Sequence, residues 1–141
     1  MALISFPEVG FGPHVDWMLQ RPEMAAGMGK LSEAVYGHSQ LGVREREAAR
    51  WTIALINHCA VCQDTRAEQG PAAGIDDGFY GEVSNWRESE VLTDRERLAA
   101  EFAQAFALDH LTMDEAFFDR MRTGYTDEEL ADLVICCGMW L

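Results

Sequence analysis

Apolar residues recur at spacings of three and four along most of the chain, the period of one helical face. After an irregular start rich in Gly and Pro, Pro22 to about Tyr36 carries Met24, Met28, Leu31 and Val35 at this spacing, and Gly37 is expected to close the helix. The longest pattern runs from about Val43 to Glu68, with Ala48, Trp51, Ile53, Ala54 and Leu55 in its first part. Asn57 and His58 are weak helix formers at its middle, so a break is expected there, with a second helix starting near Cys59. Gly70 to Gly78 has the turn chemistry of a connector. Three later helices are marked by capping boxes, in which a Thr hydroxyl accepts from an amide three residues on and a Glu reaches back. The pairs are Thr93 with Glu96, Thr112 with Glu115 and Thr126 with Glu129, opening helices over about 94–109, 113–122 and 127–140. Their apolar faces include Leu98, Phe102, Ala105 and Phe106, then Leu130, Leu133, Val134 and Cys137. No period-2 strand emerges, so the expected fold class is all-α.

Leu41–Ala54 aligns on Leu92–Ala105 with 7 of 14 positions matched: the Leu, the Arg-Glu-Arg core, the Ala-Ala pair and the last Ala. Two readings are open, a duplicated helical unit or two amphipathic helices built from the same common helix formers. In the second copy His110 and Met113 stand where the first has Cys59 and Cys62.

With 141 residues, 48% of them hydrophobic, the chain has the size of one globular domain spanning 1–141. Its 24 acids against 11 bases leave a net charge of −13, which repels a phosphate backbone or an anionic membrane surface, so neither nucleic acid nor membrane is an expected partner. No apolar run approaches the roughly 20 residues that span a bilayer. The opening MALISFPEVGFGPHVDWM lacks a basic region and carries Glu8 and Asp16, unlike a secretory signal, so a cytoplasmic protein is expected. The charge is uneven: residues 1–75 hold 8 acids and 6 bases, residues 76–141 hold 16 and 5. Leu41 to Arg66 is slightly positive, a setting that favours an anionic sulfur.

That segment holds the sharpest feature, the CxxC pair Cys59 and Cys62. Two thiols at this spacing at a helix start form an exchangeable disulfide, and the helix N-terminus favours a thiolate. The alternatives are half of a zinc site, completed by His58, by distant histidines or by Cys136 and Cys137, and two merely buried cysteines. Cys59, Cys62 and Arg66 fall at i, i+3 and i+7, so one helical face would carry both sulfurs and a guanidinium. Glu47 precedes His58 by eleven residues, about three turns, and shares its face if the helix is continuous. Lying among Ala48, Ala49, Trp51 and Ile53, Glu47 is either a partly buried base for a thiol proton or a solvated i,i+3 partner of Arg44 or Arg50. Cys136 and Cys137 read as core or subunit-contact residues, Met24, Met28, Trp51 and Phe102 as packing, and His14, His38 and His110 receive no role.

The pattern Glu47, eleven residues, Cys59, two residues, Cys62 resembles the active-site signature of the carboxymuconolactone decarboxylase-like superfamily, in its AhpD-like alkylhydroperoxidase branch. The likeness extends from Arg21–Glu23 through Leu41–Cys62 to Leu92–Ala107 and Tyr125–Val134. It implies a helical fold of about six to seven helices with a repeated unit, assembled as a homo-oligomer, commonly a trimer or hexamer. It further implies that Cys62 is the peroxidatic thiolate and becomes a sulfenic acid, and that Cys59 resolves it as a disulfide. An external dithiol, of thioredoxin-like or dihydrolipoyl type, then reduces that disulfide, and Glu47 belongs to the proton relay. The substrate is a peroxide and no cofactor is required.

One position departs from the family pattern, which continues with a histidine four residues after the second cysteine; here it is Arg66. Arginine holds an anion by charge but stays protonated and cannot shuttle a proton. His58 is the nearest replacement, read either as a proton carrier or as a packed residue at the helix break. A non-peroxidatic redox-sensing or structural CxxC module and a lactone enzyme of the decarboxylase branch are the competing functions. The apolar end Gly138–Leu141 is expected to have no polar cap and to bury against a neighbouring subunit.

Overall fold

The structure, a computed structural model, describes residues 5–141 and, at His14, the backbone alone. Residues 1–4, where the reading of the leader begins, and the His14 side chain lie outside the described residues. The chain divides into two compact units that meet in sequence between His38 and Ser39. Among the described residues no strand occurs. Seven helices of five residues or more occur among them, preceded by a single helical turn.

In the first unit α1 (Pro13–Asp16) runs through a 3-10 turn (Trp17–Gln20) to α2 (Pro22–His38). The irregular start is gathered by one carboxylate: buried Asp16 accepts from the amides of Val9, Gly10 and Phe11 at 3.2, 3.4 and 3.1 Å. Helix α2 differs from expectation in two ways. Gly37 does not close it, the helix continuing to His38. Of its apolar stripe only Val35 is buried, while Met24 and Met28 are 63% and 53% exposed and Leu31 is exposed too, so these side chains are surface and not packing.

The second unit comprises α3 (Val43–Ile56), α4 (Ala60–Asp64), α5 (Asp77–Ser84), α6 (Asp94–Leu108), α7 (Glu115–Met121) and α8 (Asp127–Trp140). Helices α3 and α6 pack together through the alanine pairs Ala48–Ala49 and Ala99–Ala100, all fully buried, and small side chains let two helices approach closely. Helix α8 covers both, burying Leu130, Leu133, Cys136 and Cys137 while Val134 faces outward. Burial pushes the Cys136 thiol up to about 11 and Cys137 higher still, so both are core residues and poor thiolates. Phe102 anchors a ring cluster with Phe106, Phe117 and Phe118 at centroid distances of 6.0–6.4 Å.

The two aligned segments meet face to face in the structure. Arg44 Nε donates to Glu96 Oε1, and its counterpart Arg95 Nε donates to Glu45 Oε1, so each helix lends an arginine to the other's glutamate. The elements that follow are ordered differently: a 3-10 turn, Pro71–Ala73, separates α4 from α5, whereas the turn His110–Thr112 directly follows α6.

Local chemistry explains most helix starts. Thr93 and Thr126 form the expected capping boxes with Glu96 and Glu129. Thr112 does not: its hydroxyl donates back to the Asp109 carbonyl at 2.8 Å, and Asp114 caps α7 by accepting from Phe117 N at 2.9 Å. Helix α5 begins within the expected connector; Asp76 caps it by accepting from Phe79 N at 2.9 Å. The last turn of α8 does receive a polar cap, from afar, because Asn57 Nδ2 donates to the carbonyls of Trp140 and Leu141.

Candidate functional site

The break expected at Asn57–His58 is a Schellman turn. Asn57 is the C-cap of α3, His58 takes the left-handed conformation with φ 49°, and the amides of His58 and Cys59 return to the carbonyls of Leu55 and Ala54 at 3.2 and 3.1 Å. Glycine usually fills the left-handed position, so His58 sits there at a conformational cost. Cys59 therefore has two duties: it closes α3, and it is the N-cap of α4, its Sγ accepting from the Cys62 amide at 3.2 Å. The two cysteines are joined as a disulfide with Cα atoms 5.2 Å apart. Both are half-buried, and the intervening Ala60 and Val61 are exposed, so the pair lies at the surface.

Two geometric expectations fail at this turn. Helix α3 stops before His58, so the continuous face joining Glu47 to His58 does not exist, and the His58 side chain is exposed. Helix α4 stops at Asp64, with Thr65 extended, so Arg66 lies beyond it and off the helical face of the sulfurs. Its guanidinium instead lies 4.4 Å from the Tyr80 ring centroid and 5.5 Å from that of Trp51, and it reaches the exposed Asp77 carboxylate at 3.5 Å.

Beneath the pair is a buried polar network. Glu47, 2% exposed, is held bidentately by Arg50, with Nε to Oε2 at 2.8 Å and Nη2 to Oε1 at 2.5 Å. Both readings of Glu47 were half right: Arg50 is its i,i+3 partner, and the pair is buried, Arg50 being 5% exposed. The Tyr80 hydroxyl donates to Glu47 Oε1 at 2.7 Å. Burial first, and then that carboxylate, push the Tyr80 phenol up to about 12, against the opposing pull of Arg50 and Arg66. Arg50 extends the network to the cysteines, donating from Nη1 to the Cys62 carbonyl at 2.6 Å and from Nη2 to the Thr65 carbonyl at 3.2 Å. The Trp51 ring packs against Tyr80 with centroids 4.6 Å apart and planes tilted by 52°, and its indole donates to Ser84 Oγ at 3.0 Å, fixing α5 against α3.

Sequence reasoning missed Tyr80 and gave Arg50 no role toward the cysteines. The signal for Tyr80 was present, since Asp76 stands three residues before Phe79 and Phe79, Tyr80 and Val83 share a helical face. A cleft of about 490 Å³ opens beside the network, lined by Arg66 and Tyr80 with Gly70, Pro71, Ile75 and Asp77. Among the described residues no group of three or more His, Cys, Asp or Glu is placed to hold a metal ion. No helix among them is long and apolar enough to cross a membrane.

The model of the carboxymuconolactone decarboxylase family matches residues 22–105. The uncharacterized protein YnjA of Escherichia coli (strain K12) is 32% identical over 98 residues, which are 69% of this chain and 52% of that protein. The chain therefore spans about half the length of this curated relative. A protein of unknown function from Agrobacterium tumefaciens, described as a candidate antioxidant defence protein AhpD, has a similar fold with TM-score 0.77 and 24% identity, over 89% of this chain and 86% of that one. An uncharacterized peroxidase-related protein from Silicibacter sp. TM1040 has TM-score 0.73 and 22% identity, over 90% of this chain and 68% of that one. At these identities the two structures are evidence of fold.

Proposed function

Since the chain belongs to the carboxymuconolactone decarboxylase family, we propose that it acts as an AhpD-like thiol peroxidase cycling through Cys59 and Cys62. The observation that carries this reading is a surface disulfide at a helix junction, backed by a buried Glu47–Arg50–Tyr80 network that touches the Cys62 main chain. In the reduced protein the Cys62 thiolate attacks the terminal peroxide oxygen. The O–O bond breaks, the alkoxide leaves as alcohol on gaining a proton, and Cys62 becomes a sulfenic acid. The Cys59 thiol displaces water from it and the disulfide forms. An external dithiol then reduces the disulfide, taking up the oxidation as its own disulfide. The exposed Ala60 and Val61 leave room for that reductant, and the cleft beside Tyr80 is a route for a small peroxide.

Glu47 serves the reaction as the carboxylate of the proton relay, its position fixed by Arg50 and Tyr80. His58 serves through its backbone turn, and Arg66 by keeping a positive charge over Tyr80. We expect the protein to work in the cytoplasm as a homo-oligomer, a trimer or hexamer, with the exposed Met24, Met28 and Leu31 of α2 as surface available for assembly; size measurement in solution tests the latter.

Treatment of the reduced protein with one equivalent of peroxide should remove about 2 Da from the intact mass as the disulfide forms. Cys59→Ser should stop at a sulfenic acid on Cys62. A reduced wild-type protein that keeps its mass would favour the second reading, a redox-sensing or structural dithiol pair without peroxidase turnover. The position of Arg66 favours that reading, because a guanidinium over Tyr80 offers no proton carrier where the family has a histidine.

A further inference from the structure

Arg50 joins the buried acid to the redox pair. Its guanidinium spans Glu47, through two bonds of 2.8 and 2.5 Å, and the main-chain carbonyls of Cys62 and Thr65, at 2.6 and 3.2 Å. Those carbonyls belong to the last turn of α4 and the residue after it, where an α-helix leaves its carbonyls without intrahelical partners. A five-residue helix has little stability of its own, so its geometry is set by what grips it. At its start the grip is the Schellman turn that fixes Cys59. At its end it is Arg50, which is itself immobilised by a bidentate carboxylate.

We infer that Arg50 is a positioning residue that holds Cys62 against Cys59 and so sets the equilibrium between disulfide and dithiol. The inference rests on the redox role proposed above. Two effects of opposite sign compete. A lone cation near the pair would favour thiolates, and hence the reduced form. Here the Glu47 carboxylate neutralises the guanidinium, and Arg50 touches carbonyls, so holding the two sulfurs together is the larger effect. Removing the grip lowers the effective concentration of one thiol for the other and makes the disulfide easier to reduce.

The test is the equilibrium of the full chain with dithiothreitol, in which two electrons and two protons pass to the protein disulfide while dithiothreitol closes to its cyclic disulfide. Wild type, Arg50→Lys, Arg50→Met and the double variant Glu47→Gln/Arg50→Met are compared, with circular dichroism as the check on folding. We expect both Met-containing variants to shift toward dithiol about tenfold, or about 30 mV for this two-electron couple. Lysine, a point charge without the fork, should shift the same way by less. If Arg50→Met does not fold, the double variant, which leaves no unpaired carboxylate, decides. Equilibria within twofold of wild type in a folded Met variant, or a shift toward disulfide, would overturn the inference. The measurement uses no peroxide, so a protein that fails to react with peroxide refutes the peroxidase reading while the Arg50 result still stands or falls by itself.

Discussion

Helices α3 and α6 begin alike and continue differently. In each, an arginine of the first turn crosses to the other helix's glutamate, donates to a glycine carbonyl and lies over an aromatic ring. Arg44 does so with Glu96, Gly74 and Phe79, and Arg95 with Glu45, Gly124 and Tyr125, the ring distances being 4.5 and 4.4 Å. The alanine pairs that follow are equally buried. From there the halves part. Where α3 places Glu47 and Arg50 as a buried ion pair, α6 places half-buried Leu98 and a Glu101 that pairs with Arg120 at the surface, at 2.6 Å. Where the first half continues into Cys59 and Cys62, the second has His110 and Met113. The two helices thus share the contacts of their first turns, and the buried ion pair and the disulfide belong to the first half alone.

The largest expected effect breaks the chemistry and spares the scaffold. Cys62→Ser should abolish peroxide-dependent disulfide formation while leaving the unfolding midpoint of the reduced protein near that of reduced wild type. Retention of peroxide-driven mass loss would remove Cys62 from the reaction. Next in size is giving the first half the residue of the second. Glu47→Leu takes away the carboxylate that holds buried Arg50 and should cost about 3–5 kcal/mol in urea unfolding. Adding Arg50→Met should recover most of that loss, since apolar replacement of both members of a buried pair is often close to neutral. A Glu47→Leu protein within about 1 kcal/mol of wild type would mean that the difference between the halves carries no energetic weight.

This asymmetry also explains which parts were legible in the sequence. The break at Asn57–His58, the start at Cys59 and the capping boxes of Thr93 and Thr126 were readable because each is a bond between residues a few positions apart. The same locality misled at Thr112, whose hydroxyl had a second local acceptor in the Asp109 carbonyl. Only the first two residues of α5 fall in the connector Gly70–Gly78; local signals mark no helix beyond it, because Gly78 and Gly81 weaken a segment of eight residues that holds its form by packing Phe79, Tyr80 and Val83. The site suffered accordingly. The spacing of Glu47, Cys59 and Cys62 was visible, but the direction of Arg66 depended on where α4 ends. That end is set by Arg50 across twelve and fifteen residues, and Tyr80 comes from a helix that local signals did not reveal. The apolar stripe of α2 shows the converse, since periodicity identifies a face without saying what covers it.

A smaller effect sharpens the comparison on the scaffold side. Helix α6 starts with a full capping box, whereas α3 starts at Gly42 with no side-chain cap bond. Thr93→Ala should therefore cost about 1 kcal/mol in urea or thermal unfolding. A cost near zero would mean that the crossed arginines alone hold the start of α6.

The last comparison, confined to alkaline pH, concerns the two buried phenols that mark the halves. Tyr125 donates to the Arg95 carbonyl at 2.5 Å, part of the scaffold, and Tyr80 donates to Glu47, part of the site. Burial is the first cause raising both, with Tyr80 reaching about 12 and Tyr125 higher. Each folded-state value lies above the unfolded value of about 10, so this contribution to stability is complete below pH 10. Above it the unfolded chain gives up its protons first, and stability falls by about 1.4 kcal/mol per pH unit for each phenol that stays protonated in the fold. For Tyr80 that loss spans the interval from about 10 to about 12. Tyr80→Phe should make the alkaline limb of the urea-unfolding free energy shallower by one proton over that interval, leaving the Tyr125 contribution in place. An unchanged limb, or ultraviolet difference spectra in which Tyr80 ionises near 10, would contradict the arrangement. Because Tyr80 keeps its proton to about 12, it remains a donor to Glu47 far above neutral pH, and the carboxylate held between Tyr80 and Arg50 stays fixed there.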